Sequence, residues 1–315
     1  VSLKEFGLNE VIDCHSHSGG SDYFNVYRGG LPKTQSVEDL LLKGQLAGVN
    51  QIVTFPMPSP GYYNIKELAT RNKRQPSGTQ NFPYQLENAT LLNTERLTTK
   101  NSFLPFMCVD PSTLAQEQIR HLQFLYEERG KFFGLKLHTA TTHSKATDLV
   151  SAGFIDFALE KNIPVMIHSG LRGEHNHPSH IIKLAKNHPH LRICIAHLAC
   201  LHQETLNLIP KLENVFVDTS PFMQICNRVR NGNNDVYFPN YIEPDKPVES
   251  VYSYYLMLKN SLIWGTDEPW TNSKNHKGSY FEEADIIAKL CQSSLPAAIK
   301  ITTENSKRFL FGSLS

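Results

Sequence analysis

The 315-residue chain has six cysteines (Cys14, Cys108, Cys194, Cys200, Cys226 and Cys291) and no CxxC pair among them. A structural zinc ribbon needs that paired spacing, and a disulfide scaffold is out of keeping with a chain this long. Three of the cysteines fall inside apolar strand-like runs, which predicts reduced core thiols and a cytoplasmic address. Excess charge is missing as well. A formal net charge of +1 offers no electrostatic footprint for nucleic acid or an anionic membrane. No apolar run reaches the roughly 18 residues that a membrane span requires. The opening VSLKEFGLNE lacks the continuous apolar stretch of a signal peptide. Because the first residue is Val, removal of an earlier segment is compatible with the sequence. There is no internal repeat and no low-complexity tract.

What is present is a rhythm. A 40% hydrophobic content suits a globular chain with a sizeable core, and the length suits one α/β barrel domain over 1–315. Strand-like runs are expected at 11–17, 49–56, 102–110, 132–139, 163–170, 191–199, 214–220 and 261–270. Several are continuously apolar, as parallel strands covered on both faces should be. Helical spacing marks 36–48, which has a Ser-x-x-Asp start, and also 113–130 and 146–162. Eight strands alternating with helices predict a (β/α)8 TIM barrel, closed by a helix around 294–311 with Pro296 in its first turn. Two polar stretches, 57–90 and 221–247, interrupt the alternation and are expected to act as lids on the catalytic face.

Polar residues end these apolar runs. His15 and His17 lie two apart in VIDCHSH, so on a strand both imidazoles point one way. An HxH pair alone is weak evidence, since two polar loop residues are the ordinary explanation. His168 in IPVMIHSG and His197 in LRICIAHLA end buried runs, where an imidazole needs a hydrogen-bond partner or a metal. Asp267 in LIWGTDEP is costly in a barrel mouth unless it meets a cation, although a turn role beside Pro269 competes. Glu268 faces elsewhere by parity. Lys136 and His138 in GLKLH share an inward face, with Leu135 and Leu137 outward. An interior lysine is a carbamylated metal bridge, a cation for substrate, or one half of an ion pair. His138 is expected at the substrate. Arg172 and Arg28 are candidate clamps for a substrate carboxylate, against the usual solvated arginine. Tyr62, Tyr63, Tyr237 and Phe238 offer aromatic walls from the two insertions. His175, His177 and His180 read as a loop leading into a helix.

The order of HxH, Lys, His, His and Asp along the strands resembles the amidohydrolase superfamily. The forms GLKLH, IHSG, AHLA, GTDEP and ENSKRFLF look like the branch containing aminocarboxymuconate semialdehyde decarboxylase, from Val11 to Phe311. The resemblance implies a barrel holding a divalent metal, usually zinc, with hydrolytic or decarboxylating activity. By position, His15, His17, His168 and Asp267 match the metal ligands. His197 matches the strand-six histidine that holds a second metal or acts on substrate, with Lys136 as its companion if two ions are bound. One ion per chain is the expectation.

The leading expectation is therefore hydrolysis of an amide, ester or lactone carbonyl in a small organic substrate, using a metal-activated water. Asp267 would move the proton, and His197 with Lys136 would stabilise charge on the carbonyl oxygen. The alternative is non-oxidative decarboxylation or hydration of an unsaturated carboxylic acid. An inactive barrel that binds a metal or ligand is the reading from another class. A homo-oligomer is compatible with all three.

Overall fold

The computed structural model describes residues 2–20, 33–58, 61–97, 102–170, 173–231, 242–273 and 276–312. Eight parallel strands run in sequential order: β1 (Ile12–Ser18), β2 (Gln51–Pro56), β3 (Phe103–Val109), β4 (Gly134–Leu137), β5 (Val165–Ile167), β6 (Ile193–Ile195), β7 (Val215–Asp218) and β8 (Leu262–Ile263). Seven lie within a strand-like run read from the sequence, and β1 overruns its run (11–17) by one residue, Ser18. Closure falls beyond β8. There Cys14 N donates to Trp264 O at 3.0 Å, and Ser16 bridges Glu268 in parallel. Gly265 permits this approach, because a Cβ there would stand 2.6 Å from the Cβ of His15. The result is a (β/α)8 TIM barrel.

Alternation along the strands sorts side chains into two cores. Leu135, Leu137, Val165, Ile167, Ile193, Ile195, Val215 and Val217 pack outward against the helices. Val53, Phe55, Phe106, Cys108, Met166, Cys194 and Phe216 fill the interior. All six thiols are free. Ser36 caps the helix Val37–Ala47 by accepting from Asp39 N at 3.0 Å, and Gly48 (φ 81°) ends it. The closing helix begins earlier than expected, at Tyr280, with Ser279 in a reciprocal capping box with Glu282. It breaks at Ser294 (φ −159°, ψ 85°), so Pro296 opens the segment that follows, where its missing N–H costs little. Asn305 ties this segment to the end of β8 by donating to Lys259 O and Leu262 O at 2.7 and 2.8 Å. No described helix is long and apolar enough to cross a membrane.

The 57–90 stretch is not structureless. It forms the helix Ile65–Arg71 and a small buried cluster of Tyr62, Tyr63 and Leu68. Tyr63 Oη donates to Asp110 Oδ2 at 2.7 Å, and Arg74 Nη2 reaches the same oxygen at 2.5 Å. Asp110 directly follows β3, so these bonds attach the insertion to the C-terminal rim of the barrel.

Glu283 lies buried on the helix Tyr280–Ile299 and accepts from Met223 N at 3.0 Å, while its Oε2 has no hydrogen-bond partner. Burial pushes its carboxyl up to about 8, against the backbone N–H groups of Met223 and Phe222. The folded chain thus holds a proton that the unfolded chain releases near 4.5, and stability falls as pH rises through that window. Glu283→Gln should abolish this loss and raise Tm by about 2 °C at pH 8.5, with no gain at pH 4.5, in thermal unfolding scans.

Candidate metal centre

The C-terminal strand ends bring His15, His17 and Asp267 together, each offering one donor atom within 4.8 Å of the others. His15 Nε2 and His17 Nε2 lie 3.2 and 3.3 Å from Asp267 Oδ1. Donors bound about 2.0–2.2 Å from one tetrahedral ion stand about 3.3–3.6 Å apart, so the spacing suits a shared cation. Proton placement agrees. His15 Nδ1 faces Asp218 Oδ2 at 2.7 Å and His17 Nδ1 faces Pro56 O at 3.2 Å. Both acceptors favour the proton on Nδ1, which leaves each Nε2 a lone pair, that of His15 with the Lys136 amine 3.4 Å away. Asp267 Oδ1, buried between them, has no hydrogen-bond partner. Three electron-rich atoms facing one another fit a divalent ion.

Asp267 reaches this position on a left-handed backbone (φ 58°). Its N–H donates to His15 O at 2.7 Å, and its own carbonyl accepts from Trp270 N at 2.6 Å. Beneath it, Thr266 Oγ1 donates to Asp13 Oδ2 at 2.8 Å. Glu268 turns away, as parity required, and pairs with Lys43 Nζ at 2.5 Å.

His168 does not join the three donors. Its Nδ1 lies 2.9 Å from His197 Nε2, and its ring stacks on His138 at 4.2 Å. The second ring nitrogen of His197 lies 2.9 Å from Ser220 O, so both of its nitrogens are engaged. Lys136 is buried, 3.4 Å from His15 Nε2 and 4.2 Å above the Phe55 ring. Burial lowers its amine, although Asp218 and Asp267 oppose that. His138 Nδ1 bonds Thr141 Oγ1 at 2.9 Å. Tyr62 is buried against Tyr63, 5.0 Å between ring centroids. Arg28, Arg172, Tyr237 and Phe238 lie outside the described residues.

Asp218 escaped the sequence reading although it ends β7 much as Asp267 follows β8. It is buried, and His15 and His197 together hold its carboxyl down to about 2 in spite of desolvation. Asp218, His15 and His197 also cluster, but their contacts are hydrogen bonds with every proton accounted for. Trp270 was missed too. Its ring meets that of His17 edge-on at 6.2 Å and is partly exposed. A cavity of about 840 Å³ is lined by Ser18, Gly19, Pro56, Met57, Ile65 and Leu91 among others, and by none of the three donors.

A second strained segment follows β6. His197, Leu198, Ala199, Cys200 and Leu201 all have φ between 49° and 61°. Left-handed backbone costs an L-residue about 1–2 kcal/mol, so surrounding bonds must hold this turn.

Burial drives His17 and His197 down to about 4, and His138 and His168 well below their ordinary value. His15 moves the other way: burial and Lys136 depress it, but Asp218 and Asp267 raise it overall. His121, His175 and His177 are lowered as well, and these seven imidazoles outweigh His15 together with Asp13 and Glu283, whose carboxyls burial raises, so the unfolded chain binds more protons below pH 6.5. Without added metal, Tm should therefore fall as pH drops from 6.5 towards 4, and a flat profile in scanning calorimetry would contradict this protonation scheme. Lys136→Ala should retain one equivalent of divalent metal by elemental analysis, because Lys136 lies outside the three-donor group. Loss of all metal would make the lysine a ligand.

The amidohydrolase family model matches residues 12–312. None of the curated proteins compared with the chain matches it significantly in sequence. Among solved structures, the 5-carboxyvanillate decarboxylase of Novosphingobium aromaticivorans, complexed with manganese and 4-hydroxy-3-methoxy-5-nitrobenzoic acid, is similar with a TM-score of 0.62. It shares 12% identity over 98% of this chain and 97% of its own. The 5-carboxyvanillate decarboxylase of Sphingomonas paucimobilis gives 0.59 at 11% identity, covering 96% and 99%. The adenine deaminase of Arthrobacter aurescens gives 0.54 at 17%, covering 87% and 72%. At these identities the likeness is one of fold. The match to the family model, by contrast, spans all eight strands, and the chain belongs to the amidohydrolase family.

Proposed function

We propose that this barrel is a metal-dependent enzyme that decarboxylates a small unsaturated or aromatic carboxylic acid without oxidation. This departs from the hydrolysis that the sequence put first. The observation that carries it is the buried Lys136 beside the donor cluster. A buried amine beside a divalent ion offers a substrate carboxylate a hydrogen-bonding or cationic partner, which a neutral amide, ester or lactone does not call for. The fold likeness to two 5-carboxyvanillate decarboxylases supports the same class of substrate. It also fits the branch of aminocarboxymuconate semialdehyde decarboxylase that the strand-end motifs resemble.

His15, His17 and Asp267 would hold the ion. Bound there, it acts as a Lewis acid that polarises substrate oxygen. Two imidazoles and a carboxylate suit manganese as well as zinc. Trp270, partly exposed beside His17, forms a flat wall for a planar substrate. Ser220 O keeps a proton on His197 Nδ1, so His197 Nε2 accepts from His168 Nδ1. Both imidazoles are depressed, so the pair rests neutral; His168, protonated from water, would then hand that proton to the carbon as CO2 leaves. The 57–90 insertion, attached to the rim through Tyr63, Arg74 and Asp110, would roof the mouth together with 221–247 and set specificity.

The test loads the protein with Mn2+ or Zn2+ and supplies two panels: ring and unsaturated carboxylic acids, and uncharged amides, esters and lactones. Decarboxylation should release CO2 and, in D2O, leave one deuterium on the carbon that carried the carboxylate. Turnover confined to the uncharged panel would overturn the proposal in favour of hydrolysis.

A further inference from the structure

The left-handed turn His197–Leu201 contains no glycine, yet all five residues adopt φ between 49° and 61°. Its fastenings are specific. His197 N donates to Asp218 Oδ1 at 3.0 Å, and His202 N donates to Ala199 O at 3.0 Å. Cys200 Sγ donates to Ser169 O at 3.2 Å, and Ser169 Oγ donates to Ala196 O at 2.7 Å. Leu198, Ala199 and Leu201 are fully buried.

Asp218 enters this set from another strand. Oδ1 also accepts from Ser220 N and Ser220 Oγ at 3.1 and 2.7 Å, while Oδ2 accepts from His15 Nδ1 at 2.7 Å. One buried carboxylate therefore touches both a donor of the candidate metal centre and the strained turn that presents His197.

We infer that Asp218 is a positioning residue with two separable tasks, one for each oxygen. Oδ2 holds His15 in the Nδ1–H tautomer, which keeps Nε2 bare for a cation. Oδ1 anchors the left-handed turn and with it the His197 ring. The first task rests on reading His15, His17 and Asp267 as a cation site; the second does not. The two ends are thereby coupled: anything that loosens the turn disturbs the acceptor of His15, and an ion on Nε2 strengthens the Nδ1–H bond to Asp218.

Asp218→Asn separates the tasks. Its amide oxygen replaces Oδ1 and still accepts from His197 N, Ser220 N and Ser220 Oγ. Its amide nitrogen replaces Oδ2 and donates to His15 Nδ1, which drives the ring proton onto Nε2. The opposite amide orientation sets two donors against His197 N and the Ser220 groups, so it is disfavoured. In 15N-histidine NMR of the protein without added metal, His15 should switch from the Nδ1–H to the Nε2–H tautomer. Titration with Mn2+ or Zn2+ alone should show Kd rising about 10–100-fold. Hydrogen exchange at Leu198–Leu201 should stay as in the wild type. Asp218→Ala removes both oxygens and should also speed exchange at Leu198–Leu201.

An Asn variant that keeps the Nδ1–H tautomer and binds metal within twofold of the wild type would overturn the inference. So would an Ala variant with unchanged exchange in the turn. Should the wild type bind neither ion, the cation-site reading fails on its own account. The tautomer and exchange measurements would still decide the role of Asp218.

Discussion

Charge buried in the mouth of the barrel has to be compensated within a few ångströms, and the structure around the site is organised by that requirement. Asp218, Asp267 and Lys136 are all buried at or near the C-terminal ends of strands whose lower halves are apolar. Asp218 is held by His15, His197 and Ser220, and Lys136 by His15 and the Phe55 ring. Asp267 is the exception. Its Oδ1 faces two imidazole nitrogens and no donor. In a medium that leaves a buried charge costly, an unsatisfied carboxylate oxygen between two lone pairs is the mark of a cation site.

Strain follows from the same requirement. Asp267 and the turn His197–Leu201 both use left-handed backbone without glycine, and both carry side chains into the mouth. A relaxed strand-to-helix connection would aim these side chains elsewhere. The cost is borne where backbone bonds over-determine the geometry: His15 O and Trp270 N at Asp267, and Asp218 Oδ1 at His197. Rigid support of this kind holds functional groups within the small tolerances that binding and proton transfer demand. The strand ends are thus the rigid part of the site. The insertion 57–90, by contrast, is joined to the rim chiefly through side chains, with Tyr63 and Arg74 meeting on Asp110.

Much of the architecture was legible from the chain alone. The eight apolar runs mark the eight strands, with only Ser18 of β1 falling outside, and the alternation at Leu135, Lys136 and Leu137 correctly sent the lysine inward. Inward parity is local, since it depends only on a two-residue period. The resemblance carried by the strand-end motifs pointed to the family that the match over residues 12–312 establishes. Asp218 carried the same signal as Asp267, a carboxylate closing an apolar strand, and could have been read the same way. The turn His197–Leu201 had no such signal, because HLACL lacks the glycine or asparagine that normally marks left-handed backbone.

Sequence by itself therefore determined which residues stand at the mouth of the barrel and which way each strand faces, because both follow from local periodicity. Only the tertiary structure decided which of those residues meet. It brought His15, His17 and Asp267 to a common point, gave His168 to His197 instead, and set Asp218 between His15 and the strained turn. Such pairings depend on barrel closure and strand stagger, which bring residues of the first and last strands to within hydrogen-bond distance. No local pattern in the chain encodes that geometry.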